Sequence, residues 1–248
     1  MNQYDDLINV DPLKLYFGDP YVINQYITIY QPTIGDIIEY GEREYFSMIN
    51  TITAIPSEMK SSLWDSGIDW NKITDFQLFL LISQSLSQKQ TKIILGDIDL
   101  QRMKPVENLQ NGEPVLKDSV TGAIIDELAY KTISAYLCKL HNITKKVEKA
   151  GNKFTKQVLI DEDRQKREYA AKQPYKSFLM PLVSSIKVRQ SYTRDYIRNM
   201  GLYEFFDDVN RSQIIVNTDA LLSGSYSGMV DTSKIKKSQF NWMRETNE

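Results

Sequence analysis

The 248-residue chain has one cysteine, Cys138, and one histidine, His141. No disulfide can close within it, and a structural zinc site built from four Cys and His ligands is excluded. A Ser-His-Asp or Cys-His mechanism would have to pass through His141 alone. No apolar run approaches the ~20 residues that span a bilayer; the longest lies near 76–82. The amino-terminal residues lack a basic start followed by an apolar stretch, so no secretory signal is expected and a cytoplasmic location is read. The Walker loop, the dinucleotide glycine pattern after a strand, the G-x-S-x-G elbow and the EF-hand loop are all missing, so no cofactor is expected. Internal repeats and low-complexity tracts are missing too.

What the sequence does contain is ordinary globular material. Apolar residues make up 42% and charged residues 25%, enough to build a core without staples in one large domain or two small ones. Net charge is only −2, but it is unevenly spread. Residues 1–75 hold 12 acidic and 4 basic side chains, a net of −8; residues 139–172 hold 10 basic and 5 acidic, a net of +5. Separated blocks of this kind are either solvated faces or a means of head-to-tail self-association or docking to a charged partner.

Local patterns predict a helix-dominated α+β fold. Residues 1–12 read as a polar arm. Two β-rich flanks around Gly18-Asp19-Pro20 predict a hairpin over 13–30. Thr33 caps a helix carrying Ile34, Ile37, Ile38, Tyr45, Ile49 and Ile52, which Pro56 stops. A short helix follows from Ser57 to Gly67. Thr74 and Gln77 form a capping-box pattern opening an apolar helix over 75–86, expected to be the most buried of this half. Residues 91–95 read as a strand, Asn111-Gly112 as a hairpin turn, and 115–116 and 123–125 as short strands. Asp126 caps a helix through His141, with Leu128, Ile133, Leu137 and Leu140 on one face. The amino-terminal α+β half thus covers 1–144, a basic linker or loop covers 145–160, and an all-helical half covers 161–248. Within that last half, helices are predicted over 161–173, 177–189, 193–200, 202–216 and 218–226, with a short one from Ser238.

Few constellations could carry chemistry. Cys138 and His141 stand three apart on one helix among leucines, which suits packing better than a nucleophile and base. Asp97 and Asp99 lie on one side of a short segment read as extended and are weak candidates for a hard cation such as magnesium. Lys145, Lys146, Lys149, Lys153 and Lys156 form a basic patch, but without a reading helix or stacking aromatics, so no nucleic-acid partner is expected. Aromatics are plentiful, with 15 Tyr, 9 Phe and 3 Trp. Trp64, Trp70, Tyr226 and Trp242 are the candidate partner-binding residues, since Tyr and Trp are enriched at interaction hot spots.

Three stretches carry a family resemblance: residues 31–42 (QPTIGDIIEYGE), 63–76 (LWDSGIDWNKITDF), and 226–237 (YSGMVDTSKIKK) with 241–244 (NWMR). Together they resemble tail assembly chaperones of tailed phages or prophages of Gram-positive bacteria, encoded near the tape-measure protein. The likeness covers about half of the chain, at both ends, and consists of packing and capping motifs. It implies a non-catalytic protein of the host cytoplasm during virion morphogenesis. Such a protein binds the tape-measure protein, keeps it soluble, and recruits tail-tube subunits. No membrane partner is implied, and a homo-oligomer is left open. The alternative is a structural virion component of the neck, tail or baseplate. A third reading is a carboxylate-metal enzyme using Asp97 and Asp99.

Overall fold

The computed structural model describes residues 7–108 and 112–246. The fold is helix-dominated α+β, with one two-stranded and one three-stranded antiparallel sheet. Asp11 accepts from Leu13 N–H at 2.9 Å, and Pro12 occupies the first helical turn, so α1 is a helix, Pro12–Tyr16. This corrects the hairpin predicted over 13–30: a side-chain cap and an N1 proline outweigh the strand propensity of the leucines and aromatics. The true hairpin is shorter, β1 (Tyr21–Val22) on β2 (Thr28–Ile29). Asn24 folds it back by accepting from both Tyr26 and Ile27 N–H at 2.9 Å. Of the predicted arm, residues 1–6 lie outside the described residues, and Ile8 is buried in the core.

Thr33 caps the helix as expected, and with Asp36 it forms a capping box. The helix they open, α2 (Ile34–Tyr40), stops at Gly41, whose φ is +102°, and α3 (Glu42–Ile52) starts anew there. One predicted helix is therefore two. A 3₁₀ turn, Pro56–Glu58, leads to α4 (Lys60–Asp65). The Thr74–Gln77 box opens α5 (Asp75–Ile82), which continues only as a 3₁₀ turn at Ser83–Ser85. Leu81 on α5 is exposed, so α5 is not the most buried helix of its half. That place belongs to α7 (Glu127–Leu140), capped by Asp126 as expected, with ten buried side chains. Leu128, expected on its inner face, points to solvent.

Residues 91–95 are not a strand. They form the end of α6 (Gln88–Leu95), opened by a third capping box at Ser87 and Gln90. The strand that enters the Asn111-Gly112 hairpin is instead β3 (Lys104–Glu107), paired with β4 (Pro114–Lys117), which pairs in turn with β5 (Ile124–Ile125). Asn111 itself lies outside the described residues; Gly112 takes φ +72°. Asp118 pins the β4–β5 turn by accepting from Arg102 at 2.9 and 2.6 Å, from Val120 N–H and from Thr121 Oγ1. The guanidinium holds its carboxyl well below the usual carboxylate range.

Beyond α7 the described residues form helices and loops, with one isolated bridge between Thr33 and Gly201. The 145–160 segment is not a loop throughout, because Asn152 caps α8 (Lys153–Lys172) nine residues before the predicted cap at Asp161. α9 (Leu179–Gln190) and α10 (Arg194–Asn199) follow, and α11 runs unbroken over Leu202–Tyr226. The predicted break at Asn217-Thr218 does not occur. Thr218 is buried and bonds to Gln239 O and Arg244, so its hydroxyl serves a tertiary contact rather than a cap. The last predicted helix is a 3₁₀ turn, Lys237–Phe240.

One main core gathers Leu15, Ile29, Ile34, Ile37, Tyr45, Ile49, Phe79, Leu116, Tyr136 and Leu140 with Leu202, Phe205 and Phe206 of α11. Tyr136 stacks on Tyr21 at 4.6 Å and Tyr130 on Phe79 at 4.4 Å. A second cluster, Ala54, Leu63, Trp70, Leu78 and Ile160, lies under α8.

Candidate functional site

The residues with the richest chemistry in the sequence are internal. Cys138 is buried on α7. His141 lies at the end of the same helix, with Nδ1 2.6 Å from Leu137 O and Nε2 2.6 Å from the Tyr45 hydroxyl. The carbonyl can only accept, so Nδ1 carries the proton and Nε2 accepts from Tyr45. Burial pushes the imidazole down to about 4 and the Tyr45 phenol well up. This is a neutral, saturated pair inside the core. Asp97 and Asp99 sit in a turn after α6, not on an extended segment. The Asp99 carboxylate accepts from Gln101 and Arg102 N–H at 3.1 and 3.4 Å. Among the described residues no group of three His, Cys, Asp or Glu is placed to hold a metal ion. No helix there is long and apolar enough to cross a membrane.

The charge blocks meet each other. Lys145 pairs with Glu58 at 2.8 Å, Lys156 with Asp69 at 2.7 Å, Lys60 with Glu148 at 2.7 Å and Arg164 with Asp65 at 2.6 Å. Two of the five patch lysines, Lys145 and Lys156, are thereby committed to ion pairs with the acidic segment; Lys146, Lys149 and Lys153 are exposed. The tryptophans also divide. Trp70 is only 2% exposed, under Lys60 Nζ at 5.6 Å, and is core rather than partner-binding. Trp64 is 42% exposed beneath Lys156 Nζ at 5.9 Å.

Among the described residues two surfaces stand out as places for a partner. The first is carboxyl-terminal: Tyr226 is 87% exposed and Met229 86%, and Trp242 and Met243 are exposed beyond them. The backbone there is anchored by arginines. Arg211 Nη1 donates to Trp242 O and Arg244 O at 3.0 and 2.6 Å, and the buried Arg244 donates to Thr218 Oγ1, Gln239 O and Asn241 O at 3.1 Å each. The segment thus presents apolar side chains from a fixed main chain.

The second is a groove of about 890 Å³ between α3, the end of α5 and α8. Phe46, Ala54, Met59 and Ile82 give it apolar walls, and Arg43 and Arg167 stand at its lips. Arg43 lies over the Tyr175 ring at 6.0 Å, and Arg167 donates to Ser61 Oγ at 3.2 Å. Glu42 holds the chain that leaves α8 by accepting from Phe178 and Leu179 N–H at 2.7 and 2.8 Å. Burial alone would raise its carboxyl, but bonds from Ser177, Leu179, Phe178 and Tyr175 outweigh that and lower it. Sequence reasoning missed this groove. Its one local signal was Phe46, a large apolar side chain beside the inward Tyr45 rather than in line with it.

No family model, no curated protein and no solved structure matches the chain.

Proposed function

We propose that the protein is a non-catalytic phage tail assembly protein, a chaperone that binds the tape-measure protein and tail-tube subunits. The observation that carries this reading is the exposed apolar set Tyr226, Met229, Trp242 and Met243. It falls within the carboxyl-terminal stretch whose sequence resembles such chaperones. A tape-measure chain exposes apolar helical stripes, and a chaperone must cover them reversibly. Methionine and aromatic side chains on a fixed backbone suit that task, because thioethers adapt to irregular partners. The packing of the lone cysteine and histidine inside the core supports a role in covering surfaces.

The test is co-expression with a tape-measure protein of a tailed phage of Gram-positive bacteria. The pair should co-purify, replacing Tyr226, Met229 and Trp242 together by serine should break the complex, and finished virions should lack the protein. Stoichiometric copies in mature particles would reject the chaperone in favour of a neck, tail or baseplate component.

A further inference from the structure

Helix α3 buries Tyr45, Met48, Ile49 and Ile52 in the core. Its opposite stripe, Arg43, Phe46, Ser47, Asn50 and Thr51, continued by Ala54, floors the groove. These positions recur at spacings of three and four, so the stripe on α3 lines the groove from Arg43 to Thr51, along ~12 Å or about two turns. The floor side chains Ser47, Asn50, Thr51 and Ala54 are short, which lets a second helix approach to the ~8–10 Å of ordinary helix packing. Phe46, Met59 and Ile82 supply apolar contact on either side.

Charge selects the occupant. Among the described residues neither Arg43 nor Arg167 forms an ion pair, while the one carboxylate of the lining, Glu58, is neutralised by Lys145 at 2.8 Å. Two guanidinium groups beside the apolar side chains of Phe46, Met59 and Ile82 match carboxylates that flank an apolar stripe. We propose that this groove binds an amphipathic α-helix along about two of its turns, the apolar face of that helix being bordered by Asp or Glu side chains. The inference stands apart from the chaperone reading and concerns a different surface.

The full-length protein is titrated into a fluorescein-labelled helical 16-mer with leucines at i, i+3, i+4 and i+7 and glutamates beside them. A second peptide carries lysine for every glutamate. Fluorescence anisotropy should show the acidic peptide binding about tenfold or more tightly than the basic one. Arg43→Glu with Arg167→Glu should reverse that order, and Asn50→Trp should weaken both peptides by filling the floor. All three positions are exposed, and unchanged circular-dichroism melts of the variants confirm folding. Equal affinity for the two peptides, or binding untouched by Asn50→Trp, overturns the proposal. So does failure of the acidic peptide to bind while ultracentrifugation shows a dimer that Asn50→Trp dissociates; the occupant is then a second copy of the chain.

Discussion

His141, read from the sequence as a packing residue, is held in surroundings that make it a pH-sensitive part of the core. Its folded-state pKa of about 4 lies below the ordinary value of 6.5. A group depressed on folding stabilises the native state fully above its unfolded pKa and loses that contribution as pH falls toward the folded value. Between pH 7 and pH 5 the wild type should therefore lose about 2 kcal/mol relative to His141→Gln, read from urea unfolding at the two pH values. Glu204, Asp207 and Asp208 act in the opposite sense, because burial raises their carboxyls. The wild-type-minus-variant difference removes their contribution, and a difference that does not change with pH would refute the buried neutral imidazole. The tryptophans give a second residue-scale check. A variant retaining Trp70 alone (Trp64→Phe, Trp242→Phe) should emit at shorter wavelength and resist acrylamide, whereas Trp242 alone should be readily quenched.

At the scale of elements, the caps explain both what was readable and what was not. Thr33 with Asp36, Thr74 with Gln77, and Asp126 announce helix starts within four residues, and each was legible. Ser87 with Gln90 writes the same signature, but Thr91, Ile93 and Ile94 gave the stretch a strand-like composition that masked it. Among the helices whose N-cap residue supplies no side-chain bond, α4 and α9 draw on carboxylates from distant elements. α4 receives one from α8, where Asp163 Oδ2 accepts from Ser61 N–H at 2.9 Å and Ser61 Oγ at 2.6 Å. α9 receives one from Glu42 on α3, beside the local bond from Met180 N–H to Ser177 Oγ at 2.9 Å. Such caps join residues about a hundred positions apart, so no local pattern contains them. Asp163→Ala should cost about 1 kcal/mol in chemical denaturation. It should also speed amide exchange in both α4 and α8; faster exchange in α4 alone would mean that the carboxylate caps without docking.

Gly35 gives an element-scale prediction whose sign discriminates. It lies inside α2, where replacing glycine by alanine ordinarily stabilises by ~0.5–1 kcal/mol. Here a Cβ would stand 2.9 Å from the carbonyl oxygen of Arg198, at the end of α10. That oxygen is main chain and is fixed by the neighbouring bond from Ile34 N–H to Met200 O at 3.0 Å. Gly35→Ala should therefore lower stability by about 1–2 kcal/mol, the range for forcing extra volume into a packed contact. A higher melting temperature in this variant would show that α2 and α10 are not closely packed there.

For the whole molecule, the uneven charge was legible as a fact but not as a destination. The acidic first third and the basic 139–172 segment could have marked a surface for another protein. Lys145–Glu58, Lys156–Asp69, Lys60–Glu148 and Arg164–Asp65 instead bind the chain to itself. The division into an α+β half and a helical half has a parallel outcome. Composition separates the two, yet packing does not. Pro32 O accepts from Leu202 N–H at 3.1 Å, Gln31 Nε2 donates to Leu15 O, and Gln31 Oε1 accepts from Tyr203 N–H. Ile197, Met200, Leu202, Phe205 and Phe206 enter the same core as Ile34 and Ile37. At roughly 1.5–3 kcal/mol for each large apolar side chain buried, these five contribute on the order of 10 kcal/mol, an upper value because unfolded chains already hide some surface. That is comparable with the ~5–15 kcal/mol net stability of a typical domain. Residues 161–248 expressed alone should then show helical signal without a cooperative melt, while the full chain unfolds in one calorimetric transition. Two separable transitions in the full chain, one reproduced by the fragment, would instead mean that each half carries a core sufficient for itself.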